Sequence, residues 1–88
     1  MGRRAEQYRE TRRRIVEAAV EAFSELGFHG ASTREIASRA GTNQGLITYH
    51  FRSKDELWRA AADRIFSLLG EALAAGAEQA DGTTPRER

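Results

Sequence analysis

Apolar residues recur at helical spacing in four blocks, separated by short breaks that carry glycine or small polar residues. In the first block Ile15, Ala19, Ala22, Phe23 and Leu26 mark one face while Arg and Glu fill the other, which predicts a helix from about Tyr8 to Leu26. Gly27 then stands where a Schellman ending places its glycine, and Phe28 is positioned to touch Phe23. Ser32 and Glu35 have the spacing of a capping box, so a second helix should open there and run to about Arg39 or Ala40, with Ile36 and Ala37 inward. After Gly41, Thr42 or Asn43 can cap a third helix from Gln44 to His50 or Phe51, anchored by the i, i+4 pair Ile47 and Phe51. Ser53 and Glu56 form another capping-box pair, and the stripe Leu57, Ala61, Ile65, Leu68, Leu69, Leu73 predicts a fourth helix over about 53–76. Residues 77–88, with Gly82, Thr83, Thr84 and Pro85, read as a linker. Neither a strand pattern nor an internal repeat occurs. The expected fold is all-α: an orthogonal three-helix bundle followed by a longer fourth helix.

Residues 32–51 are the most informative segment, because they read as two short helices meeting at a sharp corner. Ala37 is small where the pair must approach, Gly41 takes a corner that favours a residue without Cβ, and Ile47 faces back toward the preceding helix. These are the constraints of a helix-turn-helix. If Ile47 and Phe51 point inward, then Gln44, Gly45 and Thr48 point outward, as a helix offered to a major groove requires. The Gln44 amide suits a bidentate contact to adenine, Gly45 allows close backbone approach, and Thr48 offers a hydroxyl and a methyl group. Without the corner, the same residues would be an ordinary solvated face. Leu46 is either a marginal core residue or an apolar contact to a thymine methyl, and Tyr49 and His50 either pack at the core margin or turn polar tips to phosphates. Thr33 and Arg34 open the second helix and Lys54 the fourth, so each sits where backbone N–H groups favour an anion.

Charge sharpens this picture through its distribution. The formal net charge of +1 over 88 residues argues little, yet Arg3, Arg4, Arg9, Arg12, Arg13 and Arg14 face only Glu6 and Glu10 in the first fourteen residues. Residues 1–8 are therefore expected as a basic arm and Arg14 as a phosphate contact, although a solvated helix start has the same composition. The size suits a binding module better than an enzyme with a walled cleft. With no cysteine and two histidines, a thiolate metal site or disulfide framework has no residues to use, and no cofactor is expected. Glu17, Glu21 and Glu25 step along a polar helix face, and no nucleophile elbow or phosphate-binding glycine loop occurs, so the chain does not read as an enzyme. No apolar run reaches membrane-span length, and a cytoplasmic location is expected.

Thr11 to Ile15, Ala18-Ala19 through Phe23, Gly27-Phe28, Ser32-Thr33 through Ile36-Ala37, Ala40-Gly41, Gly45, Tyr49-His50-Phe51 and Ser53 to Leu57 resemble the N-terminal DNA-binding domain of TetR-family transcriptional regulators. The likeness covers about residues 9–60. It implies a regulator, usually a repressor, that binds a palindromic double-stranded operator as a homodimer and is released by a small-molecule effector in a C-terminal domain. By position, it implies base reading by Gln44, Gly45, Leu46 and Thr48, and phosphate contacts by Thr33, Arg34, Tyr49, His50 and Lys54. Many members carry tyrosine at the place of Thr48 and a small residue at that of Leu46, so operator preference does not carry over. Family members are about twice as long or more, so the chain is expected to be a fragment whose fourth-helix stripe packs on a segment beyond these residues. The competing reading is a small helical protein-interaction module that uses that stripe.

Overall fold

The computed structural model describes residues 3–83, with side-chain surroundings through residue 77. Four helices follow in order: α1 (Arg3–Gly30), α2 (Thr33–Ala40), α3 (Gln44–His50) and α4 (Lys54–Thr83). No strand occurs among the described residues, and none of their helices is long and apolar enough to cross a membrane.

Helix α1 begins five residues before its expected start, since Arg3, Arg4, Ala5, Glu6 and Gln7 are helix formers and Glu6 places a negative charge in the first turn. The expected arm is therefore helical from Arg3, while Met1 and Gly2 lie outside the described residues. Gly27 interrupts α1 with φ 78° and ψ 172°, a conformation open to glycine but not the left-handed geometry of a Schellman ending. The chain then makes one further turn, closed by the Ala31 N–H donating to the Gly27 carbonyl at 3.1 Å. That turn brings Phe28 to Phe23, with ring centroids 6.0 Å apart, and seals Ala31 into the core. Leu26, expected in the core stripe, is instead 46% exposed, because after the Gly27 kink Phe28 and Ala31 close the core at that end.

The Schellman motif ends α2 instead. Gly41 is left-handed at φ 71°, ψ 35°, its N–H donates to the Ser38 carbonyl at 3.1 Å, and the Thr42 N–H donates to the Ala37 carbonyl at 2.9 Å. At the other end, Ser32 Oγ accepts from the Glu35 N–H at 3.0 Å, as expected. The return half of that capping box is replaced, because the Glu35 carboxylate accepts from Arg39 Nε at 2.8 Å. In α4, Ser53 Oγ accepts from the Glu56 N–H at 3.1 Å, and the Glu56 carboxylate reaches one residue further back than expected, to the Arg52 N–H at 3.0 Å.

The core is built from Ile15, Ala18, Ala19, Ala22 and Phe23 of α1, Ala31 of the following link, Ile36, Ala37 and Ala40 of α2, Ile47 of α3, Phe51, and Leu57 and Ala61 of α4. Its many alanines let helix axes come close, while Ile15, Ile36 and Leu57 are wholly buried and each contributes about 1.5–3 kcal/mol of apolar burial. Helix α4 packs along α1, tied by Arg64 Nε donating to Glu17 at 2.9 Å. Trp58 meets Phe23 and Phe28 edge-on at 5.0 and 5.5 Å. Arg39 gathers Glu35, Glu25 and Glu21 at 2.8, 2.8 and 3.3 Å, fastening α2 to the polar face of α1. That guanidinium holds the Glu25 carboxyl below its usual range. Beyond Ala61, α4 continues to Thr83 through an alanine-rich stretch, past the expected boundary at residue 76. Residues 77–83 of the expected linker are therefore helical, and residues 84–88 lie outside the described residues. Along this length Ile65, Phe66, Leu68, Leu69 and Leu73 are exposed.

Candidate nucleic-acid interface

Seven residues are too few for a helix to stand alone, so α3 depends on its cap and its anchors. Asn43, extended at φ −128° and ψ 165°, is the N-cap, and its Oδ1 accepts from the Leu46 N–H at 2.9 Å. Ile47 and Phe51 are buried, as their spacing required. Gln44, Gly45 and Thr48 are consequently exposed on one face.

Two of these side chains are already held. Gln44 Nε2 donates to Thr33 Oγ1 at 2.8 Å, joining the first turn of α3 to that of α2 and placing an expected base reader beside an expected phosphate contact. The Thr48 hydroxyl donates to the Gln44 carbonyl at 3.1 Å, so it offers outward its methyl group and an oxygen lone pair rather than a free proton. Gly45 has a local role as well: a Cβ there would lie 3.1 Å from Asn43 Oδ1 and press on the cap.

Arg34 is exposed beside Thr33 in the first turn of α2. Lys54 begins α4 with Nζ 4.7 Å from the Phe28 ring centroid, a cation–π contact with the aromatic cluster. Arg14 reaches the helix-turn-helix from behind: Nη2 donates to the Ala40 carbonyl at 3.1 Å, where α2 ends and a cation complements the helix dipole. In this position it buttresses the Gly41 corner.

The rest of the face is continuous with the start of α1. Leu46, Tyr49 and His50 border a shallow surface depression with Arg4, Tyr8 and Thr11, which settles Leu46 at the rim rather than in the core. Tyr49 is 70% exposed and meets the Tyr8 ring edge-on at 6.0 Å. His50 is half-buried, 4.5 Å from the Tyr8 ring, with Nδ1 shut off from solvent and without a partner. Burial, and then the neighbouring Arg12 guanidinium, push its pKa down, so the imidazole is neutral near pH 7.

Tyr8 was read from the sequence only as a helix start and Arg12 only as one of the basic N-terminal arginines, not as neighbours of α3. The signal was present: Arg12 lies one turn before the first core residue, Ile15, and therefore on the same helix face. Its guanidinium sits 4.4 Å from the Phe51 ring centroid, and Nη1 donates to the His50 carbonyl at 3.4 Å. Among the described residues, no group of three His, Cys, Asp or Glu side chains is placed to hold a metal ion.

A capped reading helix set across a Schellman corner from a second short helix, with polar side chains outward and apolar anchors inward, defines a helix-turn-helix protein. The chain belongs to the TetR family: the model described as bacterial regulatory proteins, tetR family, matches residues 15–61, more than half of its length and the whole of α2 and α3. It is 40% identical over 72 residues to the HTH-type transcriptional dual regulator CecR of Shigella flexneri, covering 82% of this chain and 32% of that protein. It is 36% identical over 77 residues to the HTH-type transcriptional regulator BetI of Pectobacterium carotovorum, covering 88% of this chain and 40% of that protein. To BetI of Yersinia pestis it is 40% identical over 62 residues, covering 70% and 31% respectively. The chain thus spans about a third to two-fifths of the length of these curated relatives.

Proposed function

We propose that this chain is the operator-reading part of a transcriptional regulator, binding double-stranded DNA by inserting α3 into the major groove. The single observation that carries this reading is the outward face of Gln44, Gly45 and Thr48 on a helix fixed by Asn43, Ile47 and Phe51 behind the Gly41 corner. Gln44 and Thr48 read bases, Leu46 touches a thymine methyl from the rim, and Thr33, Arg34, Tyr49, His50 and Lys54 contact phosphates on either side. Arg14 supports the corner from behind and contributes its charge to the same field.

In a longer chain the regulator acts as a homodimer on a palindromic operator, because two-fold symmetry in the protein calls for two-fold symmetry in the site. Repression by occupying the operator, relieved by a small effector bound elsewhere in that chain, is the mode that accords with its relatives being named transcriptional regulators. The reading is non-catalytic and places the protein in the cytoplasm, with the DNA. The family match ends at residue 61, before the exposed apolar stripe that starts at Ile65, which favours DNA binding over a protein-interaction module.

The test is a titration of the chain with random-sequence and selected duplexes at rising salt. Affinity should fall linearly on logarithmic axes with a slope of about −0.9 per phosphate contact, and amide shifts should concentrate in residues 33–54. A salt-independent titration, or shifts confined to residues 61–75, would overturn the proposal.

A further inference from the structure

We propose that Arg12 is a positioning residue that sets the C-terminal end of the reading helix against α1, so that sequence discrimination depends on a side chain that does not touch DNA. This rests on the DNA-binding reading above, and its argument begins with how α3 is held. The N-terminal end is capped by Asn43 and tied to α2 by Gln44 donating to Thr33. The middle is fixed by Ile47. At the other end the helix stops at His50, and Phe51 leaves it in an extended conformation at φ −135°, ψ 121°. A terminus that stops this abruptly exposes carbonyls carrying the negative end of the helix dipole.

Arg12 meets both features of that end. Its guanidinium lies on the Phe51 ring at 4.4 Å and donates to the carbonyl of His50, the last helical residue, at 3.4 Å. Only a planar, delocalised cation satisfies the two together, by stacking on the ring while an edge N–H reaches the carbonyl. One turn earlier on α1, Tyr8 lies 4.5 Å from the His50 imidazole and 6.0 Å from the Tyr49 ring, so the same face of α1 packs on one side of the end of the reading helix. Arg12 itself is half-buried, and its guanidinium is occupied within the protein. It therefore fixes the tilt of Gln44 and Thr48 relative to the groove, as a lever fixes its far end. A displacement of about 1 Å is enough to spoil such a contact geometry.

The experiment compares Arg12→Ala and Arg12→Lys with the unsubstituted chain, by duplex titration against salt and by amide spectra and hydrogen exchange without DNA. Arg12→Ala should lower affinity for the selected duplex about tenfold, the size of a lost partly desolvated cation–π contact. Affinity for random duplex should change little and the salt slope should stay the same. Arg12→Lys, which keeps the charge and loses the plane, should recover little of the discrimination. Amides of residues 44–51 should shift and exchange faster in both variants while helical content is retained. A slope smaller by about 0.9 would mean that Arg12 contacts a phosphate itself, and full rescue by lysine would mean that charge alone matters. Either result would overturn the proposal, as would unmoved α3 amides. The spectra without DNA test the brace even if the chain binds no duplex, so its failure is distinguishable from failure of the DNA reading.

Discussion

Thr48 and Lys54 are both polar residues of the candidate face, yet their surroundings assign them different work. Thr48 spends its proton on the Gln44 carbonyl and presents a methyl group outward, which suits the proposed base contact better than a phosphate clamp. Lys54 is a charge at the opening of α4 whose ammonium rests 4.7 Å from the Phe28 ring centroid. Thr48→Ala should therefore change preference at one base pair by about 1–3 kcal/mol and leave other positions alone, whereas Lys54→Ala should weaken all sequences alike. Binding measured across a duplex library decides between them, and equal effects from the two substitutions would contradict the assignment. Both residues were legible in the chain as candidates. Their partners were not, because the Gln44–Thr33 and Thr48–Gln44 hydrogen bonds depend on rotamers that packing selects.

Among the elements, the corner between α2 and α3 is the one whose failure would spread furthest. Gly41 is left-handed at φ 71°, and a Cβ on it would lie 3.4 Å from Arg14 Nη2, the group that holds the adjacent carbonyl. Gly41→Ala should destabilise the fold by about 1–2 kcal/mol, the cost of left-handed backbone for an alanine, read as a lower denaturation midpoint with unchanged slope. An unchanged midpoint would show that the corner relaxes without cost. This corner, the caps Ser32, Asn43 and Ser53, and the buried pair Ile47 and Phe51 were all readable from spacing, because each is a local requirement of backbone hydrogen bonding or helical period. The ends of α1 and α4 were not. Helix formers without a stop signal let α1 start at Arg3 and α4 run to Thr83, and past the Gly27 kink, with ψ 172°, Phe28 and Ala31 close the core and leave Leu26 exposed at the end of a stripe that periodicity alone would have continued.

At the scale of the molecule, His50 links the stability of the bundle to pH. It sits where α1 covers α3, beside Arg12 and a shallow surface hollow lined also by Glu56, Arg59 and Asp63, and burial followed by Arg12 lowers its pKa from the ordinary 6.5. Below pH 6.5 the unfolded chain takes up the proton more readily than the folded one, so stability is fully present above that value and falls as pH drops through the folded pKa. Thermal midpoints measured between about pH 7.5 and pH 5 should fall for the unsubstituted chain, and His50→Gln should remove that component of the decline. Identical pH profiles would mean that the imidazole is free to protonate in place. A phosphate brought to this end of the reading helix would act on the pKa in the opposite sense, since it favours the imidazolium, so such binding would take up a proton and be strengthened by mild acid.

The chain's own order of residues determined the four helices, the Gly41 corner, the inward and outward faces of α3 and the family resemblance, because caps, periodicity and glycine conformations act over a few residues and need no distant partner. Only the tertiary structure decided which side chains brace that reading helix. Arg12 stands thirty-eight residues from His50, Arg14 twenty-six from Ala40, and no local rule relates them. They meet because burying Ile15, Ile36, Ile47 and Leu57 in one core brings α1 across the back of the helix-turn-helix. The exposed run from Ile65 to Leu73 is the converse case: its periodicity could be read from the chain, but its lack of cover is a property of the packed molecule.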